Sequence, residues 1–137
     1  MLEPYRINSQ IKSPKAKRKA KSSSISKSIS AKTILEAELK RVIEFVCEHR
    51  FHKTRKWRLD YFIPSLKIGI ELHGGVHSNG RHTRGAGFTE DREKMNEAMI
   101  AGILVLEVTT EQVKNGKAIS MIKRAIETRR HELCKDK

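Results

Sequence analysis

Trp57-Arg-Leu-Asp-Tyr-Phe-Ile63, turning at Pro64-Ser65 into Lys67-Ile-Gly-Ile-Glu-Leu-His73, decides how this chain folds. Trp57, Leu59, Tyr61 and Ile63 alternate with Arg58, Asp60 and Phe62, the period of two that a half-buried strand imposes. In the second run Ile68, Ile70 and Leu72 alternate with Gly69, Glu71 and His73. Two alternating runs with a short turn between them predict a β-hairpin. The spacing places the lone tryptophan, Trp57, on the apolar face of its strand, and so in the core.

Upstream of the hairpin the period changes. Ile34, Leu35, Leu39, Val42, Ile43 and Val46 recur at helical spacing, which predicts an amphipathic helix over residues 33–49 with Thr33 as its N-cap. Glu38 sits on the buried side of that helix, whereas Glu36 occupies a neighbouring face. Downstream, residues 74–87 hold five glycines together with His77, Arg81, His82 and Arg84, and predict a mobile basic loop. Thr89 then caps a helix whose inward positions are Met95, Ala98 and Met99, and Gly102 ends it in a left-handed cap. Ile103-Leu-Val-Leu-Glu-Val108 is apolar almost throughout, the pattern of a central strand buried on both faces. Ala118, Ile119, Ile122, Ala125 and Ile126 mark a last amphipathic helix, with Lys123, Arg124, Arg129 and Arg130 on or beside its polar face. Alternating helices and strands of this kind place the chain in the α/β class.

The 137 residues suffice for one small domain and a tail. Residues 1–33 carry nine Lys/Arg against the single acid Glu3, with Lys15, Lys17, Arg18 and Lys19 clustered ahead of a Ser/Lys run. So little apolar surface cannot offset the entropy of ordering, so this stretch is expected to be a flexible basic arm, and residues 34–137 the folded domain. The whole chain has 29 Lys+Arg against 16 Asp+Glu and a net charge of +13. A cation-rich surface of this kind gains affinity by releasing counterions from a phosphate backbone, which points to nucleic acid as partner. No apolar run is long enough for a membrane span, and no signal-peptide core follows the basic N-terminus, so membrane association is not expected and a soluble, cytoplasmic protein is. Cys47 and Cys134 are far apart in segments that read as helices, and are expected to be reduced thiols.

The hairpin also carries the chemistry. Asp60 and Glu71 fall on its two strands, where pairing would bring them to one edge of the sheet. Two carboxylates held together there repel unless a cation neutralises them, and hard oxygen ligands suit Mg²⁺. His73 shares a strand face with Glu71, within reach of a metal-held water, and Lys94 enters the following helix where an ammonium could aim at the same edge. In the loop, Arg81, His82 and Arg84 suit phosphate contacts. His73, His77 and His82 give no compact zinc quartet with the distant thiols. Each residue also has a structural reading: a loop-bonded His73, a Lys94 paired with Glu90 or Asp91, a surface Glu38.

Arg58-Leu-Asp60, then Ile70-Glu-Leu-His73, Glu38 on the first helix and Asp91-Arg-Glu-Lys94 on the second resemble the PD-(D/E)xK, or restriction-endonuclease-like, nuclease superfamily over roughly residues 34–109. Histidine stands where the last lysine of that motif is usual. Arg55-Lys-Trp-Arg-Leu-Asp60, Glu71-Leu-His-Gly-Gly75 and Arg81-His-Thr-Arg84 are further similar to small phage and bacterial nucleases related to very-short-patch repair endonucleases. The resemblance implies a core of helix, three-stranded meander, helix and strand, with a central mixed β-sheet flanked by helices. It implies a metal-dependent DNA endonuclease in phage or bacterial DNA processing, repair or recombination. Asp60, Glu71 and Glu38 would be metal ligands for Mg²⁺, with Mn²⁺ as a substitute. His73 or Lys94 would handle the water, and Arg58, the loop and the arm would hold DNA. A homodimer is one way for a single site to cut both strands. Two other readings remain open: a non-catalytic nucleic-acid-binding protein on the same fold, and a nuclease of structured RNA, whose phosphates composition does not distinguish from those of DNA.

Overall fold

The computed structural model describes residues 28–74 and 85–137. In chain order the elements are α1 (Ala31–Val42), β1 (Val46–Arg50), β2 (Arg58–Ile63), β3 (Ile68–His73), α2 (Ala86–Ile100), β4 (Leu104–Thr109), α3 (Thr110–Lys114) and α4 (Lys117–Lys135). Strands β1, β2 and β3 form an antiparallel meander, and β4 joins parallel to β3, giving a mixed four-stranded sheet in the order β1-β2-β3-β4. The hairpin read from the alternating runs is β2–β3, paired through Tyr61↔Ile70, Phe62↔Gly69 and Ile63↔Ile68. The α/β class stands.

The first helix is shorter than its periodicity predicts. Val42 is its last residue, Ile43 is already extended, and Val46–Arg50 form β1 instead of two further helical turns. Val42, Ile43 and Val46 do continue the helical spacing, but the chain leaves the helix at Ile43, and pairing with β2 satisfies the backbone of Val46, Cys47, His49 and Arg50 instead. Cys47 therefore lies on a strand, exposed, while Cys134 lies exposed on α4; both are free thiols. At the other end of α1 the cap is Ser30, whose hydroxyl accepts the Thr33 N–H at 3.2 Å, in place of Thr33 itself. Similarly, α2 starts at Ala86, before the expected Thr89 cap. Gly102 has φ +79° and follows α2 as read, its N–H bonded to Met99.

Each sheet face has its own core. On one face α1, α3 and α4 cover Tyr61, Ile63, Ile68, Ile70 and Val108 with Leu35, Leu39, Val113, Ile122 and Ile126. On the other, α2 brings Ala98 against Leu59, Phe62 and Ile103. Strict alternation groups Leu59 with Tyr61 and Ile63, yet Leu59 packs in the α2 cluster beside Phe62, so the alternation of β2 breaks between residues 59 and 62. Trp57 also departs from expectation, being only half-buried: its indole N–H donates to Glu90 Oε1 of α2 at 3.4 Å. Finally, β4 ends the sheet instead of occupying its centre. Helices on both faces, α2 on one and α3 with α4 on the other, account for its apolar run without a central place.

Candidate active site

Glu71 is the one buried charged residue among the described residues. Burial of a carboxylate away from water is unfavourable without partners, so what surrounds it defines the site. The β2–β3 pairing stops at Tyr61↔Ile70, and beyond it side-chain carboxylates take the strand N–H groups. The Asp60 N–H donates to Glu71 Oε1 at 3.3 Å, and the Leu72 N–H donates to Asp60 Oδ2 at 2.8 Å. Each carboxylate thus takes a backbone donor from the opposite strand. Lys94, in the third turn of α2, donates its ammonium to the same Glu71 Oε1 at 2.8 Å, with both side chains largely buried.

The electrostatics follow from this packing. Burial, the largest cause, raises the Glu71 carboxyl above its ordinary 4.5, and the negative charge of Asp60 adds to the rise. The hydrogen bond and charge of Lys94 and the Asp60 N–H oppose it. Among the described residues Asp60 Oδ1 and Glu71 Oε2 take no hydrogen bond, which leaves one hard oxygen on each acid. Asp60 also borders a recess of about 190 Å³ with Lys32, Cys47, Glu48, Tyr61 and Leu72.

The other predicted site residues are distributed differently. Glu38 is not brought to the pair: among the described residues no three His, Cys, Asp or Glu side chains converge, and Glu38 Oε2 is buried without a hydrogen-bond partner. Its neighbour Glu36 accepts the Tyr61 hydroxyl at 3.2 Å, which with burial raises the Tyr61 pKa. His73 ends β3, exposed, and its Nε2 lies 3.3 Å from Glu107 Oε1 on the adjacent parallel strand. Glu107 is also 3.7 Å from Arg92 and stands in register with Glu71. Sequence reading passed over Glu107 because it is the single acid in an apolar run; its parallel pairing with β3 is the signal, visible once β4 is aligned. Arg58 begins β2 and is exposed. Arg81, His82, Arg84, Lys15, Lys17, Arg18 and Lys19 lie outside the described residues; of the expected arm over residues 1–33, residues 31–33 already belong to α1, and of the expected loop over residues 74–87, residues 86–87 belong to α2.

No family model matches the chain, and no curated protein matches it. Among solved structures the catalytic domain of the homing endonuclease I-Bth0305I is similar, with a TM-score of 0.57 at 18% identity over 74% of this chain and 98% of that domain. At that identity the likeness establishes a shared fold: this chain has the mixed-sheet α/β architecture of a homing-endonuclease catalytic domain.

Proposed function

We propose that this chain is a metal-dependent DNA endonuclease of the PD-(D/E)xK superfamily, acting in phage or bacterial DNA processing, repair or recombination. The observation that carries the reading is the trio of Asp60, Glu71 and Lys94, two acids and an ammonium drawn from two strands and a helix to one opening in the sheet. The two strand N–H groups could be accepted by neutral amides, so it is the negative charge of both acids, costly where one is buried against the other, that a bound cation accounts for. The fold of a homing-endonuclease catalytic domain is the second support.

The donor set fits Mg²⁺. Two free carboxylate oxygens with no third acid or imidazole converging on them suit an ion that retains several waters, and Mn²⁺ accepts the same ligands. When bound, such an ion supplies an acidified water and neutralises charge developing on a scissile phosphate. The chain's own groups divide the remaining work. Lys94 is committed to Glu71 as an ammonium, so it orients that carboxylate and contributes positive charge toward the phosphate. His73 faces Glu107 through Nε2, which favours the tautomer with its proton there and leaves Nδ1 to accept a proton from water. On this division His73 is the base and Lys94 the electrostatic partner, while Arg58, exposed at the start of β2, meets DNA.

Supercoiled plasmid incubated with the chain and Mg²⁺ or Mn²⁺ tests the reading. Nicking by wild type should fall by at least roughly a hundredfold in Asp60→Asn and Glu71→Gln, with DNA affinity retained. Metal-independent nicking, or nicking undiminished in both variants, would overturn it.

A further inference from the structure

Apart from Arg58, the turn joining β1 to β2 has no role in the site above. Residues 50–58 contain Arg50, Lys53, Arg55, Lys56 and Arg58 and no acid. At its base Arg50 and Arg58 are directly opposite in the antiparallel register. Like charges facing across two strands are destabilising, and an anion lying over them removes the repulsion. The turn is nonetheless firmly built. His52 Nδ1 accepts the Arg55 N–H at 3.0 Å and the Thr54 N–H at 3.3 Å, so the backbone folds around the imidazole. The acids of α2 then hold one side of it. Glu90 takes the Trp57 indole, Glu93 lies 3.9 Å from Arg55, and Glu97 lies 3.8 Å from His52.

This division of partners decides what remains for a ligand. Lys53, Lys56 and Arg58 are exposed and make no salt bridge among the described residues. Trp57 is engaged at its N–H by Glu90, and Arg55 lies over one face of its ring at 5.0 Å. The turn also leads directly into β2 and Asp60, so it stands at the carboxylate end of the hairpin.

We propose that the β1–β2 turn is a preorganised contact for the phosphate backbone of duplex DNA, with Lys53, Lys56 and the Arg50/Arg58 pair as its cations. It positions the duplex through its phosphates, the contact that fixes register and orientation and carries no sequence information of its own. The proposal rests on the nucleic-acid reading of the chain and is independent of cutting. Because the turn is held before binding, little ordering entropy opposes the contact.

The test is the salt dependence of binding a fluorescent duplex of arbitrary sequence, measured in chelator by anisotropy with the full chain. Lys53→Ala/Lys56→Ala should reduce the slope of log affinity against log salt by about 1.8, at roughly 0.9 per lost phosphate contact. Lys53→Arg/Lys56→Arg should restore it. The pair Lys123→Ala/Lys135→Ala removes equal charge from α4, on the other face of the sheet, and should change the slope far less. An unchanged slope in the first variant, or equal changes in both alanine pairs, overturns the proposal. Plasmid nicking is read separately. Loss of the slope without any nicking activity in wild type leaves this contact standing and removes the nuclease reading; the reverse pattern does the opposite.

Discussion

Glu71 reaches its place with a charge that the interior resists, and the resistance can be measured. Its carboxyl is raised above 4.5 chiefly by burial, so the folded chain holds that proton more tightly than the unfolded chain. The stabilisation from this group is therefore complete below pH 4.5 and is lost as pH rises through the raised folded value. In Glu71→Gln the term is absent. Urea midpoints of wild type and Glu71→Gln, compared from pH 4 upward, should shift progressively in favour of the variant and level off once Glu71 is fully ionised. A difference independent of pH would mean that Lys94 and the Asp60 N–H cancel the burial in full. Lys94 itself illustrates what a single residue's spacing can and cannot convey. Its position on a helix after the hairpin was legible; that it would choose Glu71 over the nearer acids Glu90 and Asp91 depended on the angle at which α2 crosses the sheet.

Among the elements, the hairpin is where the sequence spoke most directly, because Ile68, Ile70 and their partners on β2 alternate with few exceptions. Gly69 shows how closely α2 and its following chain pack on that hairpin. A Cβ there would come within 2.8 Å of Leu59 Cδ1 and 3.3 Å of Ile103 Cγ2, both buried side chains. Gly69→Ala should destabilise the fold by roughly 1–3 kcal/mol, seen as a lower thermal midpoint, and Gly69→Ala with Leu59→Val should recover part of the loss. Recovery absent, with the single variant as stable as wild type, would show that Leu59 moves aside freely. β1 was hidden because Leu39, Val42, Ile43 and Val46 satisfy a helical period as well as a strand's composition. Leu59 was assigned to the wrong face because the opening at Asp60 and Glu71 shifts the strand's alternation. β4 read as central because apolar runs record cover on both faces and are silent about neighbours in the sheet.

At the scale of the molecule the charge is asymmetric. Residues 1–27 hold eight Lys/Arg and one acid, and the described chain begins just before the Ser30 cap of α1. A chain starting at residue 28 keeps that cap; one starting at residue 33 loses it together with buried Ala31. Both truncations should flatten the salt dependence of DNA binding by similar amounts, each lost phosphate contact contributing about 0.9 to the slope. Only the longer truncation should also lower the thermal midpoint, by the equivalent of about 1 kcal/mol for the cap. A salt slope unchanged by either would reduce the arm to a passive leader. The opening between β2 and β3 has a last consequence, for how such a chain would diverge. Asp60 and Glu71 accept the N–H groups that the strands would otherwise leave unpaired, so the sheet has its own claim on these positions. Asparagine and glutamine keep an accepting oxygen there while giving up the negative charge. A descendant released from selection for cutting would therefore be expected to drift first to those amides, and an amide pair at this opening, found in a relative, would be the scar of a retired nuclease.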